Sequence, residues 1–397
     1  MEQRGERGAA AAEGPAFRRD GAYALSVYLH AQTMVRCGWR RGEAPPADAE
    51  ALAKAREALL GACDTLAGLA RYEAHPHRRD VPEPPVAWRR GAVRVLDYGG
   101  EGPPVLVVPS MVNRAYVLDL EPATSPLRWL AGQGFAVRLL DWGEPGAEER
   151  RFDLGAYLAE RLLPAYDAVA GSGAAHLIGY CMGGPLALAL AARRPQGRIV
   201  TLSAPWDFGG FPEHAALSAR LVEVERLVAA LEALMGVVPA QVVQSVFALR
   251  DPAAGVAKMR RFARMEEGEN ARRFVEVEDW LHDGVPMAPG VARDCLGWVA
   301  GDALRRRAWA PGGTPFRAAD VAREALVVSA SRDTVVRRSS AEPLADDLPD
   351  ARSLRAPVGH LGMVSGARAV EAVWRPLASF LVGRLRRGDA CADGPAS

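Results

Sequence analysis

The chain has 397 residues, 49% of them hydrophobic, which suffices for one large core, so a single catalytic domain with appendages is expected. Its 49 Lys and Arg offset 48 Asp and Glu to a net charge of +1, which leaves no global field to recruit nucleic acid or anionic lipid. The five cysteines are odd in number, widely spaced and free of any CxxC pair, arguing against a disulfide framework or a zinc site.

Residues 1–20 begin charged, without an apolar h-region, and no run of about 18 apolar residues follows, so an unexported cytoplasmic protein without a transmembrane segment is expected. Residues 1–20 and the tail 388–397 are rich in Ala, Gly and charge and read as disordered ends. Residues 21–90 read as a helical N-terminal extension followed by a linker. Leu59, Leu60, Cys63, Leu66 and Leu69 recur at helical spacing, and the prolines of HPHRRDVPEPPVAW, His75 to Trp88, then break any helix. His75 and His77 form an H-x-H pair with nothing nearby to complete a metal site, so no metal is expected.

From residue 91 the texture changes to short apolar runs alternating with helical stretches, the mark of a parallel sheet with crossover helices. AVRVLDYG, PVLVVPS, FAVRLLDW, AHLIG, GRIVTLSAPWD and ALVVSASRD supply the strands. Between the last two, residues 208–317 lose the strand texture, and Leu221 to Leu234 is amphipathic. This region is read as a largely helical cap inserted between core segments 91–207 and 318–387.

The segment HLIGYCMGG runs from a strand through Gly179-Tyr180-Cys181-Met182-Gly183 into an Ala/Leu helix. G-x-C-x-G in a strand-turn-helix context is a nucleophile elbow with cysteine in place of serine. The glycines let strand and helix approach where side chains would collide. The helix N-terminus directs partial positive charge at Cys181 and favours thiolate over thiol. Partners of an elbow nucleophile follow in the order acid, then histidine. Asp333 at the end of ALVVSASRD and His360 in the Gly-flanked loop APVGHLGM fit that order, with Asp346 and Asp347 as rivals in a helix-like, solvent-facing stretch. The other histidines lie in the wrong places for a triad. An oxyanion hole would use the backbone N–H of Met182 and a second from VVPSMVN, with Val112 chosen and Met111 close behind.

At this point the sequence resembles the polyhydroxyalkanoate synthases. Gly179 to Gly184, the run Pro109 to Leu120 with its P-x-x-x-N-x-x-x-x-x-D-L pattern, Trp129 to Gly146, the cap stretch Asp279 to Gly290, and the Gly359-His360 pair carry the likeness. It implies an α/β-hydrolase fold and an acyltransferase that moves 3-hydroxyacyl groups from CoA through a thioester on Cys181 to a hydroxyl acceptor, building polyester. His360 would be the base and Asp333 its orienter, with no cofactor beyond the acyl-CoA substrate. A polyester granule surface and a second copy of the chain are the implied partners, beside a cytoplasmic location. The alternative on the same fold is a cysteine-dependent hydrolase, a thioesterase, esterase or depolymerase, with water as acceptor. A non-catalytic granule-coat protein is disfavoured by the complete triad.

Overall fold

The protein is described by a computed structural model, which covers residues 49–209, 214–250 and 252–385. The expected disordered ends, 1–20 and 388–397, and the extension up to residue 48 lie outside the described residues. Eight strands form one sheet: β1 (Val86–Arg90), β2 (Val93–Asp97), β3 (Pro104–Val108), β4 (Ala136–Asp141), β5 (His176–Tyr180), β6 (Ile199–Leu202), β7 (Ala325–Ala330) and β8 (Ala351–Ala356). Their order across the sheet is β1-β2-β4-β3-β5-β6-β7-β8. β2 runs antiparallel to both neighbours, and from β4 to β8 every pairing is parallel. One reversed strand, followed by a parallel sheet with crossover helices, is the α/β-hydrolase topology.

The central strands are continuous apolar runs because they are buried on both faces and need no polar alternation. Val105, Leu106, Val107 and Val108 of β3 are wholly inaccessible, and all six residues of β7 are buried. Removing a side chain of this size from water is worth about 1.5–3 kcal/mol, so each such strand is a strong anchor for the loop at its end.

Two strands were not legible as strands. β1 occupies the end of the segment read as a linker arm, and β8 carries the sequence ARSLRA. Both are edge strands, half solvated, so neither shows an apolar run.

Among the described residues there are two compact units, one of residues 49–77 with 252–283 and one of residues 78–209, 214–250 and 284–385. The region read as one cap, 208–317, is therefore split. Helical texture alone does not say which partner an amphipathic helix will bury its face against. In the smaller unit the helices Ala49–Ala74, Pro252–Ala263 and Glu269–His282 enclose Tyr72, Phe262, Ala271 and Val275. Gly68 permits the crossing, since a Cβ there would lie 2.1 Å from Met259 O. His77 pairs with Glu276 at 3.1 Å, and no group of His, Cys, Asp or Glu among the described residues could hold a metal ion. In the larger unit Val228, Val238, Met287, Val291, Trp298 and Phe316 belong to the same apolar core as the sheet. No helix among the described residues is long and apolar enough to cross a membrane.

Candidate active site

Cys181 follows β5 directly, and the helix Gly183–Arg193 begins two residues later. Its φ is +52°, a left-handed backbone that a non-glycine side chain adopts at a cost of about 1–3 kcal/mol. Neighbours enforce it: Cys181 N–H donates to Leu202 O on β6 at 2.9 Å, and Cys181 O accepts from Gly184 N–H at 2.8 Å.

The elbow glycines are required by contact. A Cβ at Gly183 would stand 2.1 Å from Val108 O and 2.6 Å from Pro109 O, and one at Gly184 would stand 2.3 Å from Ala204 Cβ. Gly183→Ala is accordingly expected to destabilise the protein by about 3 kcal/mol, read by urea unfolding. Gly297→Ala, in a helix position with nothing within 4 Å of the added Cβ, is the control and should stabilise by about 0.5–1 kcal/mol.

Asp333 lies in the loop after β7 and His360 in the turn after β8, two adjacent parallel strands. Ser331 N–H donates to Ala356 O at 2.8 Å and Arg332 N–H to Val358 O at 3.0 Å, so the two loops leave the sheet side by side. The His360 Nδ1–H donates to Asp333 Oδ2 at 2.7 Å. Asp333 Oδ1 accepts the N–H groups of Val335 and Val336, each at 2.8 Å. His360 is 8% exposed and Asp333 9%, whereas Cys181 is more open.

Burial opposes charge on His360, yet the Cys181 sulfur and the hydrogen bonds to Asp333 and Cys181 outweigh it and raise its pKa to about 10. Burial likewise works against the Asp333 carboxylate, but bonds from His360, Ser203 and Val336 hold its pKa below the usual carboxylate value. Asp333 and His360 are thus joined by a hydrogen bond, and Cys181 acts on the imidazole electrostatically.

The rivals are engaged elsewhere. Asp347 accepts from Trp206 Nε1 at 2.7 Å. His176, whose pKa burial and nearby Arg198 and Arg323 depress to about 4, accepts from Arg198 N–H at 3.0 Å. His214 contacts Val299 O at 2.9 Å and His282 contacts Glu278 O at 2.7 Å.

The loop after β3 lies against the elbow through its contact with Gly183, and Trp142 Nε1 pins it by donating to Pro109 O at 3.0 Å. Val112 N–H already donates to Ser110 Oγ at 3.3 Å, a long bond with which an acyl oxygen would compete. The N–H groups of Met111 and Met182 carry no such bond among the described residues. Cys295 Sγ is 3.9 Å from Met182 Sδ, so the helix Pro289–Gly301 stands against the residue after the nucleophile.

One neighbour went unrecognised in sequence. The Tyr180 ring centroid is 5.1 Å from that of His360, and its hydroxyl donates to His360 O at 3.4 Å. Complete burial pushes the Tyr180 phenol well above its ordinary pKa, so it packs on the imidazole as a neutral ring. As the x of G-x-C-x-G it gave no signal of that contact.

No family model matches the chain. Among curated proteins it is 27% identical over 321 residues to the poly(3-hydroxyalkanoate) polymerase subunit PhaC of Haloferax mediterranei, covering 76% of this chain and 64% of that protein. The same-named subunit of Synechocystis sp. is 29% identical over 286 residues, covering 66% of this chain and 73% of the relative. That of Allochromatium vinosum is 24% identical over 294 residues, covering 70% and 80%. The chain spans somewhat less than two thirds of the length of the Haloferax mediterranei relative and of the same-named subunit of Haloarcula marismortui, 64% and 62%. A solved α/β-hydrolase-fold protein from Nakamurella multipartita superposes with a TM-score of 0.44 at 19% identity, covering 75% of this chain and 97% of that one. The chain is thus similar over about 70% of its length to poly(3-hydroxyalkanoate) polymerase subunits, and its sheet has the α/β-hydrolase topology.

Proposed function

We propose that the chain is an acyltransferase of the polyhydroxyalkanoate synthase type, taking 3-hydroxyacyl groups from CoA and passing them through Cys181 to a hydroxyl acceptor. The observation that carries this reading is the buried Asp333–His360 bond beside a cysteine held on a strained elbow, in a chain whose curated relatives are named polymerases. A raised His360 pKa means that imidazolium is the resting form next to the sulfur.

The chemistry follows from that pairing. The Cys181 thiolate attacks the acyl-CoA carbonyl, with the oxyanion received by Met182 N–H and the loop after β3. Collapse expels CoA thiolate, which takes the proton from His360. Neutral His360 then removes the proton of an incoming 3-hydroxyl, the alkoxide attacks the Cys181 thioester, and release of the new ester restores thiolate and imidazolium. Thioester is exchanged for thioester in the first half, so that half is close to balanced in free energy.

The helix Pro289–Gly301, standing against Met182, provides part of the cover that favours a hydroxyl over water. The parts of the inserted region that share the core of the sheet, 214–250 and 284–317, as a cap, association with the polyester surface, self-association and a cytoplasmic location belong to the same reading.

The test is a product analysis. With 3-hydroxybutyryl-CoA the purified chain should release CoA while ester oligomers accumulate in the mass spectrum. Free 3-hydroxybutyrate as the sole product would reassign the chain to the hydrolases.

A further inference from the structure

The Asp333 carboxylate holds the His360 imidazole at Nδ1, through a bond of 2.7 Å. A hydrogen bond at one ring atom leaves the ring free to turn about that bond, because the second side-chain torsion of histidine is broad and has no sharp well. A base can serve Cys181 only if its other nitrogen points at the sulfur. His360 stands at the start of the short turn Leu361–Met363 and not within a strand, so its backbone gives the ring little further guidance. A second contact must set the tilt.

Tyr180 makes that contact. Its ring centroid lies 5.1 Å from that of the imidazole with the planes 33° apart, an arrangement closer to stacked than to edge-on. Its hydroxyl donates to His360 O at 3.4 Å, so the phenol touches both the ring and the backbone of the base. Tyr180 itself has little room to yield. It is 2% exposed and ends β5, paired with Leu202 of β6 in the interior of the sheet. The next residue is Cys181, whose backbone the elbow holds at φ +52°. Two consecutive residues thus carry the nucleophile and the surface against which the base lies, and chain connectivity fixes one relative to the other. A residue that only filled the core would require volume, whereas this contact requires an aromatic face. Such a face is electron-rich and attracts a cation within about 6 Å of its centroid, which favours imidazolium over imidazole. Cys181 and Asp333 are the other titratable groups that act on both rings. We propose that Tyr180 is a positioning residue of the reaction, its ring face setting the tilt of the His360 imidazole and favouring the protonated form beside Cys181. This rests on Cys181, His360 and Asp333 acting as the triad.

The experiment uses the full chain in three forms. Tyr180→Phe keeps the ring and loses the hydroxyl, Tyr180→Leu loses the ring, and pentafluorophenylalanine at position 180 keeps the ring's shape while reversing the charge of its face. Melting curves report folding. Turnover is measured with 3-hydroxybutyryl-CoA. Alkylation of Cys181 by iodoacetamide, located by peptide mass spectrometry, is followed across pH, where the high-pH step marks loss of the His360 proton. Tyr180→Phe should keep kcat within about threefold and leave the step nearly in place, since it gives up one long hydrogen bond. Tyr180→Leu should keep KM within about twofold and lose about tenfold in kcat, as misplacement of a base without loss of binding does. Its alkylation step should fall by about one pH unit, the scale of one desolvated cation–π contact. The fluorinated ring should lower the step at least as far, and it decides the matter if Tyr180→Leu does not fold. Wild-type kcat and an unmoved step in folded Tyr180→Leu overturn the proposal, as does an unmoved step with the fluorinated ring. A loss in Tyr180→Phe equal to that in Tyr180→Leu also overturns it, because the hydroxyl and not the ring would then hold the base. His360→Ala separates the two readings. If the wild-type chain shows no alkylation step that this substitution removes, the triad itself is wrong, whereas a step that His360→Ala removes and the Tyr180 variants leave in place sinks the Tyr180 role alone.

Discussion

Cys181→Ala should lower turnover of 3-hydroxybutyryl-CoA by about 10⁴-fold or more while leaving the circular dichroism spectrum unchanged. Removing the nucleophile of a triad leaves the residual effect of oxyanion donors and binding, and little else. The elbow geometry adds a second expectation that a mere loss of activity does not test. Cys181 sits at φ +52°, where alanine is as strained as cysteine and glycine is not. Cys181→Gly should therefore melt above Cys181→Ala by about 2 °C, corresponding to about 1 kcal/mol in a protein of this size. A folded alanine variant that still turns over substrate would place the nucleophile elsewhere. Equal melting of the two variants would mean that the strained backbone is relaxed in solution.

How much of this was legible in sequence depends on what kind of force sets each feature. The elbow was legible because it is local: a strand, a sharp turn and a helix in one stretch leave glycines where Cβ atoms would collide, as the 2.1 Å and 2.3 Å clashes at Gly183 and Gly184 show. The central strands were legible because burial on both faces forces continuous apolar runs, as in Val105 to Val108. Edge strands β1 and β8 were not, since one solvated edge tolerates Arg at successive positions and removes the pattern. The division of the inserted helices between two units was also hidden. Glu269–His282 and Pro289–Gly301 lie close together in the inserted region, yet Val275 closes on Tyr72 and Phe262, while Val291 joins the core around the sheet. Which hydrophobic face meets which is a tertiary choice.

The second large effect is expected within the triad, where the acid and the base should separate kinetically. His360→Ala should cost about 10²- to 10⁴-fold in overall turnover, because both the departing CoA and the incoming hydroxyl need its proton transfers. Asp333→Asn removes charge from the 2.7 Å bond to His360 Nδ1 without changing the size of the side chain. Acylation starts from a sulfur at a helix N-terminus and needs the acid least, so a burst of CoA equal to the enzyme should survive. Transfer to a hydroxyl needs a correctly oriented neutral imidazole, and the steady rate after the burst should fall by about 10²-fold or more. Stability supplies a reading independent of turnover. The folded His360 pKa of about 10 lies above its ordinary 6.5, so its contribution is complete below about pH 6.5 and is lost as pH rises toward 10. Asp333 is shifted the other way, and its contribution is lost when acid protonates the carboxylate. The melting-temperature advantage of the wild type over Asp333→Asn should therefore be widest in mildly acidic buffer and narrow toward pH 10 and in strong acid. A gap that does not change between pH 6 and 10 would contradict the imidazolium assignment. An Asp333→Asn enzyme that shows no CoA burst, like Cys181→Ala, would mean that the acid is needed to make the nucleophile and not only to aim the base.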